Sequence, residues 1–116
     1  MNDGRGYIEI EFAGEKRPMK FGWAFLAKLC KKFNLKLTEI EQVANNIDIE
    51  QMLWFIYFGL KEGERVSGKK LPKTFSLETV GDWLDTAEPT TLKEVFETFA
   101  SSFTVLPPKT QEQNPK

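Results

Sequence analysis

The segment from Ile49 to Leu60 most constrains the fold, because it is apolar around its whole circumference. Eight of its side chains surround the axis of a predicted helix: Met52, Leu53, Trp54, Phe55, Ile56, Tyr57, Phe58 and Leu60. A helix that is apolar on all sides is enclosed by its own domain or covered by something else. A chain of 116 residues has few elements with which to enclose such a helix. We therefore expect part of this surface to belong to a partner.

The composition argues against an enzyme. The chain has no histidine, which removes the commonest general base and the commonest metal ligand. Its one cysteine, Cys30, excludes an intramolecular disulfide and a Cys-based zinc site. Cys30 lies on the apolar arc of a predicted helix, so we expect a buried structural thiol. We predict no catalytic residue, no cofactor and no metal site.

The sequence also predicts a non-membrane protein of the cytoplasm. Its longest uncharged run, Thr98 to Pro108, is shorter than the roughly 20 residues that a spanning helix needs. The polar N-terminus lacks the apolar stretch of a signal peptide. Hydrophobic residues make up 41% and charged residues 28%, with a net charge of −1, as in a single globular domain.

Residues 7–21 are predicted to form a β-hairpin. Ile8, Ile10 and Phe12 alternate with charged residues, which is the period of a half-buried strand. A turn at Gly14 follows, and the chain returns as a second strand. Pro18 has no amide proton, so this return strand is expected at a sheet edge. The fold class is therefore mainly α with a small N-terminal β-hairpin, followed by four or five helices over residues 22–103.

The helix boundaries are predicted from capping residues. The first helix begins after Gly22 and stops near Asn34. Thr38 with Glu41 forms a predicted capping box for a short helix that ends near residue 45. Asp48, followed three residues later by a glutamine, caps the apolar helix over about residues 49–60.

Later glycines and caps divide the rest of the chain. Gly59, Gly63 and Gly68 indicate a mobile basic connector over residues 61–73. Ser76 is predicted to cap the next helix. The last helix starts near residue 89, with a threonine at position 90 or 91 as its cap. We expect a flexible N-terminus over 1–6, one domain over 7–105 and a disordered tail over 106–116.

Two sets of residues are candidates for binding a partner. Trp54 and Phe58 lie one helical turn apart and point away from the expected inward face of their helix. Aromatic side chains are enriched at interface hot spots. The alternative is that the hairpin or the last helix covers both rings. The second set is the basic stripe of the first helix, Lys28, Lys31 and Lys32, which either is a solvated helix face or meets an acidic patch on a partner.

Other charged groups carry weaker signals. Paired acids such as Glu9 with Glu11 lie on polar faces, so we interpret them as solvated surface and not as acid–base pairs. Nucleic-acid binding is disfavoured, because neither candidate recognition helix presents the side chains that read base edges.

Two segments carry a resemblance to a known family. One is the apolar helix closing in Met52-Leu-Trp-Phe-Ile-Tyr-Phe-Gly-Leu60-Lys-Glu-Gly63, and the other is Phe75-Ser-Leu-Glu-Thr-Val-Gly-Asp-Trp-Leu-Asp85. With a preceding strand pair and a final amphipathic helix, the order of elements over residues 7–105 resembles the tail assembly chaperone family of long-tailed bacteriophages and their prophages.

The resemblance implies a non-catalytic chaperone of the host bacterial cytoplasm. Such proteins bind the tape measure protein and keep it soluble while tail tube subunits polymerise around it. They leave before the tail is complete, so the chain is not expected in the mature virion. Many also exist as a longer, frameshifted form whose added part contacts the tail tube protein; this chain resembles the short form. The alternatives are a small homodimeric phage or bacterial adaptor and, less favoured, a nucleic-acid-binding regulator.

Overall fold

The computed structural model describes residues 6–103, except for the side chains of residues 44, 45, 102 and 103. The predicted disordered tail (106–116) and most of the predicted flexible N-terminus (1–6) lie outside the described residues. The elements in chain order are β1 (Tyr7–Phe12), β2 (Glu15–Lys20), α1 (Trp23–Phe33), a 3₁₀ turn (Leu37–Glu39), α2 (Ile40–Asn45), α3 (Ile49–Ser67), α4 (Leu77–Asp85) and α5 (Pro89–Phe103). This order confirms a mainly α fold with an N-terminal hairpin. No helix within residues 6–103 combines the length and apolar character needed to cross a membrane.

The two strands pair antiparallel as the alternation predicts. Their register runs from Tyr7 opposite Lys20 to Phe12 opposite Glu15. The two residues between them, at positions 13 and 14, have φ values of 55° and 81°, so the turn twists with the strands. Phe12 is 1% exposed and faces the core. β2 is an edge strand, which agrees with Pro18 in its sequence.

The apolar helix α3 is longer than predicted, and the predicted connector at residues 61–67 is wrong. The helix continues to Ser67 and ends at Gly68, whose φ of 79° is the left-handed value of a C-cap. Gly59 and Gly63 lie inside the helix, where the lack of a side chain lets the hairpin approach closely. A Cβ on Gly63 would lie 1.9 Å from the carbonyl oxygen of Pro18. These two glycines permit close packing and do not break the helix.

The start of α3 matches its predicted cap, whereas that of α2 does not. Asp48 Oδ1 accepts from the backbone N–H of Gln51 at 2.8 Å, and the Gln51 side chain accepts from the backbone N–H of Asp48 at 3.1 Å. The predicted box at Thr38 is wrong, because Thr38 lies within the 3₁₀ turn. Glu39 instead accepts from the backbone N–H of Lys36 at 2.7 Å, two residues earlier than expected.

Of the caps predicted for the last two helices, that of α4 is confirmed and that of α5 is wrong. Ser76 caps α4, its hydroxyl accepting from the backbone N–H of Thr79 at 3.4 Å. The predicted cap of α5 is wrong: this helix begins at Pro89, so Thr90 and Thr91 lie in its first turn and not before it. Proline needs no amide partner at that position and has the helical φ already.

The core is centred on four phenylalanine rings from four elements. Phe25 of α1, Phe55 of α3 and Phe99 of α5 meet Phe21, which follows β2, and each ring is at most 1% exposed. Their centroids lie 4.7 to 6.0 Å apart in edge-to-face pairs. Such pairs add to the hydrophobic gain of burial. The hairpin, α1 and α5 are thereby fixed around α3.

Candidate partner-binding surface

A continuous row of aromatic side chains crosses from α3 to α4. We call this set the aromatic row, and its members are Trp54, Tyr57, Phe58, Phe75 and Trp83. Trp54 lies 5.3 Å from Phe58, and Tyr57 stacks on Phe75 at 5.2 Å with 6° between the ring planes. At the far end of the row, the ring centroids of Phe75 and Trp83 are 5.5 Å apart. All five rings are partly exposed, so the row forms apolar surface outside the buried core.

Each end of the aromatic row carries a cation over a ring. Lys32 Nζ lies 4.0 Å from the ring centroid of Trp54, and Arg17 Cζ lies 4.2 Å from that of Trp83. The side chain of Arg17 is only 11% exposed and donates from Nε to the Phe12 carbonyl oxygen at 3.1 Å. The Trp83 end is therefore closed by the hairpin.

The Trp54 end of the row is open. Lys32 is exposed and has no ion pair among the described residues. The indole Nε1 of Trp54 is shielded from solvent and has no hydrogen-bond acceptor within the described part of the chain. An unpaired buried N–H costs about 1–3 kcal/mol. The indole N–H of Trp54 therefore has no acceptor in the described fold, and the exposed Lys32 lies over the same ring, which makes this end the stronger candidate for a contact surface.

The predicted basic stripe divides into two parts. Lys28 Nζ lies 2.6 Å from Glu62 Oε2, and Arg65 Nη2 lies 2.6 Å from Glu62 Oε1. The Glu62 side chain is 1% exposed and that of Lys28 is 47% exposed, so this ion pair joins α1 to α3 at the edge of the core. Lys31 and Lys32 are exposed and remain accessible to a partner. Because Lys28 is paired with Glu62, it is a weaker candidate for binding a partner than Lys31 and Lys32.

The Glu62 carboxyl has a lowered pKa. Burial acts to raise that pKa, but the hydrogen bonds and charges of Arg65 and Lys28 outweigh it and hold the pKa below its usual range. An ionised Glu62 therefore stabilises the folded chain at neutral pH. Because the folded pKa is lower than the unfolded one, this contribution is present above the unfolded value of about 4.3 and is lost as the pH falls below it.

We expect Glu62→Gln to remove this pH dependence. At about pH 7 the variant should be less stable by about 2 kcal/mol, because a neutral amide replaces a carboxylate that accepts from two cations. As the pH falls from the unfolded value of about 4.3 through the lowered pKa of the folded state, the wild-type carboxyl becomes protonated and the two unfolding curves should converge. Urea unfolding of both proteins across that range measures the difference. A stability gap that stays constant with pH would contradict the assignment.

The predicted inward face of α3 is largely confirmed. Ile56 and Leu60 are fully buried, and Leu53 is partly buried. Trp54 and Phe58 are partly exposed, and the structure brings both into the aromatic row with Lys32. The hairpin meets α3 at its glycines, and α5 meets it at Phe55.

Sequence reasoning missed the other three rings of the row. Tyr57 was part of the apolar helix, but nothing in the sequence paired it with Phe75, which stacks on it. Trp83 lies at helical spacing from Val80 and Leu84, which gives no indication of its contact with Phe75. A signal was present in the segment Phe75 to Asp85, where an aromatic residue precedes the Ser76 cap, but its contact with α3 is tertiary.

The other side chains considered for chemistry are the paired acids of β1 and the thiol of α1. Glu9 and Glu11 are exposed on β1, as predicted. Burial raises the pKa of the Cys30 thiol, and the nearby Glu39 carboxylate raises it further, so the thiol is protonated and poorly nucleophilic at neutral pH. Within residues 6–103, no group of three or more Cys, Asp and Glu side chains is arranged to hold a metal ion.

Comparison with known proteins gives no family assignment. No protein-family model matches the chain, and neither a curated protein nor a solved structure matches it. The resemblance to tail assembly chaperones therefore depends on the two segments 52–63 and 75–85. These segments supply the five rings of the aromatic row.

Proposed function

We propose that this protein is a phage tail assembly chaperone that binds the tape measure protein and keeps it soluble while tail tube subunits polymerise around it. The observation that carries the proposal is the aromatic row, whose Trp54 end is open and bordered by the exposed Lys32. A chaperone for a largely helical client needs apolar surface and no catalytic chemistry. The row supplies such a surface on one side of a well-packed core.

The modest size of the row suits a temporary complex. Because all five rings are already partly buried, a partner covers only part of each ring, and the gain of about 25 cal/mol per Å² is offset in part by the costs of association. The net affinity is then moderate, which allows the client to be released as tube subunits replace the chaperone. In this proposal the chain acts in the host cytoplasm and is absent from the mature virion. A longer frameshifted form would add the contact with the tail tube protein.

The test is co-expression with the tape measure protein of the same gene neighbourhood. We expect the wild-type chain to keep that client soluble and to co-purify with it. Trp54→Ala with Phe58→Ala should weaken the complex at least tenfold, because aromatic anchors often contribute about 2 kcal/mol or more each. Trp23→Ala is the matched control: Trp23 is 51% exposed but lies outside the row, so the complex should persist.

Controls and alternatives follow from the same proteins. Circular dichroism and the unfolding midpoint establish that the double variant is folded. An insoluble client beside a folded wild-type chain would contradict the proposal. A mass that rises with concentration and falls in the double variant would favour the homodimeric adaptor instead. Salt-dependent binding to duplex DNA would favour the nucleic-acid-binding regulator.

A further inference from the structure

We propose that Trp54, Lys31 and Lys32 bind an amphipathic helix of the client that carries carboxylates beside its apolar stripe. We call these three residues the docking corner. The inference rests on the proposed chaperone function and specifies the chemistry of the segment that is bound. It assigns the first contact to the open end of the aromatic row and not to the row as a whole.

The charge of α1 is the first argument. This helix carries three lysines and no acidic residue. Glu62 neutralises Lys28 at 2.6 Å, whereas Lys31 and Lys32 have no ion pair among the described residues. Lys32 therefore borders the open aromatic end directly, and Lys31, the preceding residue of α1, adds a second exposed positive charge to this helix. Carboxylates on a partner that face these lysines would raise the association rate and help to fix the orientation of the complex.

The distance between Lys32 and Trp54 is the second argument. The ammonium nitrogen lies 4.0 Å from the ring centroid, so an apolar contact and a cation occupy one small area. The contact with the ring leaves N–H donors of Lys32 available, because an ammonium group has three. A ligand that fits must therefore place an apolar side chain and a carboxylate close together.

The spacing of the rings favours a helix as that ligand. Trp54 and Phe58 are one helical turn apart and their centroids are separated by 5.3 Å. Side chains at i and i+4 of a helix are about 5–6 Å apart, whereas same-face neighbours of a strand are about 6.6 Å apart. A helix with apolar residues at i and i+4 and acidic residues on the flank facing α1 satisfies both contacts.

The opposite end of the row does not offer the same site. Arg17, its cation, is 11% exposed and is held by β1 and by Glu15. The adjacent helix α4 carries three acidic residues and no base: Glu78, Asp82 and Asp85. Carboxylates of the ligand are therefore attracted to the α1 side and repelled on the α4 side. This asymmetry fixes the orientation of the bound helix.

Two synthetic peptides test the inference directly. Both are amphipathic helices of about 18 residues with the same Leu and Phe stripe. One carries Glu on the flanks and the other carries Lys. We expect the full chain to bind the Glu-flanked peptide at least about tenfold more tightly at low salt, with the preference reduced near 0.5 M salt. Titration of a labelled peptide, followed by fluorescence anisotropy, measures both affinities.

Charge reversal identifies the side chains. Lys31→Glu with Lys32→Glu should reverse the preference between the two peptides. Lys70→Glu with Lys93→Glu is the matched control: it changes the net charge equally, and these lysines are exposed in the connector after α3 and on α5. The control should keep the wild-type preference. Equal binding of both peptides, binding of neither, or equal effects of the two double variants would overturn the inference.

The same variants separate this inference from the chaperone proposal. If wild type and Lys31→Glu with Lys32→Glu both keep the tape measure protein soluble and bind it equally, the docking corner is wrong and the chaperone proposal stands. If the wild-type chain fails to solubilise the client yet prefers the Glu-flanked peptide, the docking corner stands and the client is a different protein.

Discussion

Gly63→Ala is expected to destabilise the domain by about 3 kcal/mol, at the upper end of the cost of overpacking. The added Cβ would lie 1.9 Å from the carbonyl oxygen of Pro18, 2.3 Å from its carbon and 2.8 Å from the nitrogen of Met19. All three atoms belong to the backbone of β2 and cannot rotate away. Either the hairpin leaves α3 or the helix shifts, and both movements open the core.

The matched control for this substitution is Gly81→Ala. Gly81 lies inside α4, and a Cβ added there meets nothing within 4 Å. Alanine has the better helix propensity, so this variant should gain up to about 1 kcal/mol. The same propensity gain applies at Gly63 and only partly offsets the clash. Urea unfolding of both variants gives the comparison, and similar effects at the two sites would refute the close approach of β2 to α3.

Local signals were sufficient for the beginnings of several elements. The alternation of Ile8, Ile10 and Phe12 placed β1, and the pair Asp48 and Gln51 placed the first turn of α3. Each of these signals acts within a few residues of the chain. The 3₁₀ turn at Thr38 was missed because several polar residues there can each cap a turn, and tertiary packing selects among them.

The end of α3 was not predictable from local signals. Glycines at positions 59 and 63 are typical of a connector when only the local sequence is considered. Here they make room for the hairpin, which comes about 40 residues earlier in the chain. The candidate surface shows the same limit. Trp54 and Phe58 were identified because they lie opposite the inward face of their own helix. Separating Lys28 from the other lysines required knowing that Glu62, which the sequence predicts to lie in a connector, is a buried helix residue beside it.

Phe99→Ala is expected to cost about 4 kcal/mol, the second large effect. Phe99 is 1% exposed, and its ring lies 4.7 Å from Phe55 and 5.7 Å from both Phe21 and Phe25. Truncation removes edge-to-face contacts with α1, with α3 and with the segment after β2 at once. Among the described side chains of α5, Val95 is then the buried apolar residue that remains, so the attachment of α5 to the domain should weaken most.

Phe96→Ala provides the comparison within the same helix. Phe96 is only partly buried, so its truncation should cost less, about 1–2 kcal/mol. Unfolding midpoints rank the two variants, and hydrogen exchange locates the effect. Amides of α5 should lose protection in Phe99→Ala before those of α3 do, because α3 retains its contacts with the hairpin and α1. Equal costs, or loss of protection in α3 first, would show that the four-ring cluster does not hold α5. The aromatic row lies between α3 and α4, so a Phe99→Ala chain that still bound the proposed client would separate the stability of the core from the contact surface built on it.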